Sequence, residues 1–213
     1  MIAESEAIVL RAMKHGETSK IVTLYTRAFG KVNVIAKGAR DIKSKFGGAL
    51  EMFACVNAVF YKKERAEGGL YLLSKADLVD AHRTILNDLD RIEAATAVCE
   101  LVLRAIHDEE EHPEIFDLLA AALAEISKGE TSPTLLQFEF YLEFLKTMGF
   151  AMAEDELRRL SPQARHWLIH DGAQTLPDKT QLELQSFFRN YFAEHLPGLG
   201  LRSMRSEKVF SAL

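Results

Sequence analysis

The residues best suited to chemistry stand in one stretch, "KVNVIAKGARDIKSKFGG", residues 31–48. Its first fifteen positions hold five bases, Lys31, Lys37, Arg40, Lys43 and Lys45, against a single acid, Asp41. The chain as a whole is acidic, with a formal net charge of -5 over 213 residues. Bases gathered in an acidic protein either decorate a sheet rim against edge pairing or form a site for a polyanion. Two rings accompany them: Tyr25 in the strand pattern just upstream and Phe46 at the end of the basic run. A solvent-facing ring beside lysines can stack a nucleobase, worth about 1 to 3 kcal/mol, while the ammonium groups follow the phosphates. The chemistry expected of this set is therefore binding of nucleic acid.

Other chemistries fail on spacing. "KGARDIKSK" lacks the second glycine of a phosphate-wrapping nucleotide loop, because Ile42 precedes Lys43. His166 and His170 are four apart, which puts both imidazoles on one helix face, but no glutamate follows the first and no third ligand is evident. "HDEEEH", His107–His112, reads as a solvated acidic turn at a helix end. Cys55 sits among strand residues and Cys99 on an apolar helix stripe, so both read as core rather than as thiolates. No G-x-S-x-G occurs, and Asp88 and Asp90, two apart, diverge on a helix. The expectation is a protein without catalytic residues, metal or cofactor.

The elements that must position the basic cluster change character near residue 82. Residues 1–80 carry 13 bases and 9 acids, or +4; residues 81–213 carry 13 and 22, or -9. The first part reads as five short strands, "EAIVLRAM", "KIVTLYT", "KVNVIAK", "ACVNAVFYKK" and "GLYLLSKADLV". Gly30 in "AFGK" predicts a tight hairpin joining the second and third strands in antiparallel pairing. Alternation puts Val22, Leu24, Val32 and Val34 on the core side and leaves Tyr25 and Asn33 facing out. Five strands with a basic insert between the third and fourth suit an OB-type barrel, with an SH3-like barrel as the alternative. The fold class expected is α+β, an OB-type nucleic-acid-binding domain over 1–81 followed by an all-α domain over 82–213.

In the second part the period is helical. Ile115, Leu118, Leu119, Ala122, Leu123 and Ile126 form one stripe between Pro113 and Gly129. A helix near Thr84–His107 precedes it, with Leu89, Ile92, Cys99, Val102 and Ile106 inward; "TLLQFEFYLEFLKTMG" follows, apolar on so many sides that it reads as the central helix. Ser161-Pro162 opens a helix carrying Trp167, and Leu184, Phe187, Phe188, Tyr191 and Phe192 line another before Pro197-Gly198. No apolar run is long enough to span a membrane, "MIAESEAIVL" has acids where a signal peptide has bases, and two cysteines exclude a disulfide framework. A cytoplasmic location is expected.

The stretch "AIVLRAMKHGETSKIVTLYTRAFGKVNVIAKGARDIKSKFGGALEMF" resembles the start of the RecO family of bacterial recombination mediators, and the similarity continues through "LLSKADLVDAHRTILNDLDRI". The resemblance implies an OB domain followed by a helical domain. It further implies binding of single- and double-stranded DNA, annealing of complementary strands, and a nucleoid-associated role in DNA repair. The partners it implies are RecR, sometimes RecF, and single-strand-binding protein, whose coated DNA would receive RecA. One departure is plain: many members carry a four-cysteine zinc module after the central helix, whereas Met148–Gly172 contains no cysteine. Zinc is therefore not expected.

A second basic run, "LRSMRSEKVF", places Arg202, Arg205 and Lys208 at intervals of three, hence on one face if helical. With Met204, Val209 and Phe210 nearby, it could extend a DNA track or receive the acidic, apolar-ended tail of single-strand-binding protein that the resemblance brings in. Two alternatives keep the fold: a protein-interaction adaptor with no nucleic-acid role, and a metal-dependent nuclease that would need Glu109–Glu111 to converge with another carboxylate.

Overall fold

The computed structural model describes residues 1–62, 69–170 and 175–196, and the basic run at Arg202, Arg205 and Lys208 lies outside them. Five strands, β1 (Ile2–His15), β2 (Ser19–Thr26), β3 (Gly30–Ala36), β4 (Cys55–Tyr61) and β5 (Leu70–Asp80), close into a barrel in the order β1-β2-β3-β5-β4. All neighbours pair antiparallel except β3 and β5, which run parallel. This is the OB-type arrangement, in which closure removes sheet edges. The hairpin at Gly30 forms as the sequence predicts, with Thr26 opposite Gly30 and φ of 61° at the glycine.

Alternation fills the barrel: Val22, Leu24, Val32 and Val34 all point inward and are buried. The connection between β3 and β4 completes the core. It is a succession of three-residue turns, in which Asp41, Ser44, Gly47 and Ala49 donate backbone N–H groups to Gly38, Asp41, Ser44 and Phe46. Phe46, Ala49, Leu50 and Ala54 of this connection enter the barrel core. Burying such side chains contributes about 1.5 to 3 kcal/mol for each large one.

The helices are α1 (Leu89–Ala105), α2 (Pro113–Lys128), α3 (Pro133–Thr147), α4 (Glu154–Arg158), α5 (Pro162–Ile169) and α6 (Asp178–His195). A 3-10 turn at Arg83–Asn87 precedes α1, so the helix starts later than its apolar period suggests and Leu89 is exposed at its first turn. A cut after residue 81 separates strands from helices, yet the chain folds as two compact units with a different membership. One unit holds Met1–Thr84 and Ile106–Leu123; the other holds Ile85–Ala105 and the described residues from Ala124 onward. The chain leaves the barrel, forms α1, and returns to it.

In the second unit α3 is the central helix, burying Leu135, Leu136, Phe138, Phe140, Tyr141, Leu142, Phe144 and Leu145. Aromatic rings dominate its contacts: Phe138 stacks on Phe188 at 5.6 Å, Tyr141 meets Phe192 edge-on at 5.0 Å, and Trp167 meets Phe138 edge-on at 6.1 Å. Such pairs add about 0.5 to 1.5 kcal/mol beyond area burial. The Ser161 hydroxyl accepts from the Ala164 N–H and donates to Glu183, capping α5.

Candidate nucleic-acid interface

The structure separates the predicted site residues into two groups. Lys37, Arg40, Lys43 and Lys45 are exposed on the β3–β4 connection, with Ile42 fully exposed among them. Their turns face outward because Phe46 and Leu50 face inward. Arg40 fixes this connection to the tip of the β1–β2 hairpin: its backbone N–H donates to Thr18 O at 2.8 Å and its guanidinium to Gly16 O at 3.0 Å. Lys45 Nζ donates to Ser74 O at 2.6 Å, keeping two further N–H groups for a ligand. The result is one basic end of the barrel, with side chains held by short backbone bonds.

Tyr25, Lys31 and Phe46 do not belong to that open surface, which corrects three expectations. Tyr25 does leave the barrel core, as alternation requires, but it is 0 % exposed because residues 106–123 lie over the β2–β3 flank. Its hydroxyl donates to His112 O at 3.2 Å, its ring lies 6.4 Å from Phe116, and burial, then Glu114, push its phenol far above the ordinary value. A ring so enclosed has no face for a base. Lys31, with a side chain 12 % exposed, donates to Ile106 O at 2.6 Å and pairs with Asp108 at 3.3 Å. Phe46 is 4 % exposed because it plugs the barrel.

The covering strap is the acidic segment His107–His112, a largely exposed turn as its composition suggests, which is in addition bonded to the barrel. Glu109 donates its N–H to Lys31 O, so the strap bridges β3 in parallel. Asn33, bonded to Thr23 at 2.8 Å, also donates to Asp108. The Glu109 carboxylate pairs with Lys62 at 2.7 Å and accepts the Tyr71 hydroxyl. Lys62 first and Tyr71 second hold that carboxyl below the ordinary range, and burial with Glu109 pushes the Tyr71 phenol up to about 12. Glu110 is likewise lowered, first by His112 and then by the His107 N–H. Gly30 is the point of closest approach: a Cβ there would stand 2.1 Å from Glu110 O. Arg27 completes the clamp, pairing with Glu6 and Asp117 at 2.7 Å each and lying over the Phe116 ring.

The described cysteines and acids lie in separate surroundings. Burial pushes the Cys55 thiol up to about 11, and Cys99 is buried. Glu109 and Glu110 turn to separate partners. His166 and His170 are exposed with rings 4.4 Å apart, on either side of buried Trp167. Among the described residues, Glu156, Glu194 and His195 bring metal-ligand types within 4.8 Å, and Glu156 and His195 already pair at 2.9 Å.

Fold and site thus define a class, an OB-type barrel with a basic end joined to a helical unit. Residues 1–82 match the family model described as "Recombination protein O N terminal", and residues 86–156 match "Recombination protein O C terminal". Curated relatives include the DNA repair protein RecO of Syntrophus aciditrophicus, 36 % identical over 152 residues, covering 71 % of this chain and 58 % of the relative. That of Geobacter metallireducens is 38 % identical over 151 residues, 71 % of this chain and 60 % of the relative. That of Streptomyces coelicolor is 37 % identical over 150 residues, 68 % of this chain and 60 % of the relative. The chain belongs to the RecO family, and it spans about three-fifths of the length of the curated relatives it matches.

Proposed function

We propose that this chain binds DNA as a recombination mediator in DNA repair. The observation that carries the reading is the basic end of the barrel, where Lys37, Arg40, Lys43 and Lys45 stand exposed while nearby Lys31 is neutralised by the strap. Exposed bases on a protein of net charge -5 attract a polyanion through counterion release, and they do so without reading sequence. Membership in a family whose relatives are named DNA repair proteins supports the same reading. In the full reading the protein anneals complementary strands and, with RecR and in some cases RecF, helps load RecA onto DNA coated by single-strand-binding protein. It has no ATPase or nuclease activity.

Fluorescence anisotropy with labelled single strands and duplexes tests the binding. An annealing assay with complementary oligonucleotides, with and without RecR, tests the mediator role. Sequence-independent binding that weakens with salt, faster annealing and no cleavage with Mg2+ or Mn2+ are the expected results. Absence of binding at low salt would favour the adaptor reading, and metal-dependent cleavage would favour the nuclease.

A further inference from the structure

The strand registers place one row of outward side chains across all five strands. Met13 faces Ile21, Ile21 faces Ile35, Ile35 faces Leu72, Leu72 faces Tyr61, and Tyr61 faces Ile2. Because barrel strands are sheared, the row returns to β1 displaced along it, and so winds round the barrel as a spiral. All six side chains are apolar or aromatic, none belongs to the barrel core, and all are exposed or half-buried, Tyr61 at 43 % and Ile2 at 65 %. The adjoining outward row on the strap side, Arg11, Thr23 and Asn33, is polar.

Charge says what this row faces. Over β3 and the start of β5 its other margin is basic: Lys37 lies two residues beyond Ile35 and Lys45 is anchored on Ser74 two residues beyond Leu72, while Lys75, opposite Val59, pairs with Asp77. Over β1 the margin becomes acidic at Glu4. A protein partner would need only the apolar row. A single strand of nucleic acid needs the row and the lysine margin together, since unpaired bases present apolar faces on one side of a phosphate chain. A duplex stacks those faces internally and has no use for the row.

We propose that Ile35, Leu72 and Tyr61 form a base-contacting track for single-stranded nucleic acid, with Tyr61 as the stacking ring and the phosphates lying along Lys37 and Lys45. The track rests on the DNA-binding reading and deepens it. It replaces the β2–β3 flank, where the strap encloses Tyr25.

The test compares Tyr61→Ala with the double reversal Lys37→Glu/Lys43→Glu, using an oligo-dT strand and a duplex at several salt concentrations. Tyr61→Ala is expected to weaken single-strand affinity about five- to 150-fold. Duplex affinity should stay within about twofold, since paired bases offer no free face. The slope of log K against log salt should not change, because stacking releases no counterion. Wild-type single-strand affinity in Tyr61→Ala overturns the track. If the lysine reversal still weakens binding in that case, DNA binding stands and only the track falls; if the unaltered protein binds no DNA at all, both fall. In the unaltered protein, an oligonucleotide carrying 5-iododeoxyuridine should photo-crosslink to the peptide containing Tyr61. Crosslinking confined to other peptides overturns the proposal, as does a dimer of the unaltered protein, seen by sedimentation, that Tyr61→Ala dissociates while leaving single-strand affinity unchanged, which would make the row an interface with a second copy.

Discussion

Two regions of one barrel both carry lysine, and their lysines have opposite fates. On the β2–β3 flank, Tyr25, Lys31 and Asn33 are engaged by residues 106–123; at the loop end, Lys37, Arg40, Lys43 and Lys45 stand exposed. Neither identity nor spacing distinguishes Lys31 from Lys37. What differs is a segment 75 residues further along the chain that returns to lie over one flank. An acidic strap on a basic flank satisfies that flank's donors internally, so the remaining bases become the only part of the predicted cluster open to phosphate.

The largest effect is expected at Tyr25. Tyr25→Ala removes a buried ring from beneath the strap and should destabilise the barrel unit by about 3 to 5 kcal/mol, which denaturant unfolding would show. If Tyr25→Ala instead left stability intact and selectively weakened single-strand binding, the ring would be a ligand contact after all. Gly30→Ala comes next: a positive φ and a Cβ 2.1 Å from Glu110 O force strain, and the cost should be about 2 to 5 kcal/mol. Hydrogen exchange should show strap amides opening first. An unaltered exchange pattern would mean that the strap does not need its seat at Gly30.

At the loop end the expectation is reversed. Lys37→Glu/Lys43→Glu should leave stability within about 0.5 kcal/mol, as exposed substitutions do, while weakening DNA binding and flattening its salt slope by about 1.4. A stability loss with DNA binding intact would exchange the roles of the two flanks.

A smaller effect is expected of acid. Glu109 and Glu110 titrate below the ordinary 4.5 in the folded chain, so their stabilisation is complete above that value and is lost as pH falls through their lower folded values. Both carboxylates keep substantial contact with water, so the effect is a loosening of the strap rather than unfolding. Strap amides should lose exchange protection below pH 4.5 before the barrel strands do. Simultaneous loss would show that the strap and barrel open together.

Much of this was legible in the sequence because it is periodic. Alternation in "KIVTLYT" and "KVNVIAK" defines two strands and their inner faces, and the stripe from Ile115 to Ile126 defines α2. The strap was not legible, because "HDEEEH" has no period and is ordered by partners as distant as Lys31 and Tyr71. A signal was nonetheless present in β2: from Val22 to Thr26 no strongly polar residue interrupts the run, as expected of a strand covered on both faces. The burial of Phe46 had one too, since Phe46, Ala49, Leu50 and Phe53 follow helical-turn spacing and so share one side. The outward row from Met13 to Ile2 needed the barrel's closure, because its members are neighbours only through five strand pairings.

If the exposed loop-end bases rather than the whole cluster meet DNA, the salt dependence of single-strand binding reports it. With two to four of Lys37, Arg40, Lys43 and Lys45 on phosphates, log K should fall against log salt with a slope between about -1.4 and -2.8, and Lys37→Glu/Lys43→Glu should reduce that slope. Binding that is insensitive to salt, or a slope unchanged by the double reversal, would contradict the account.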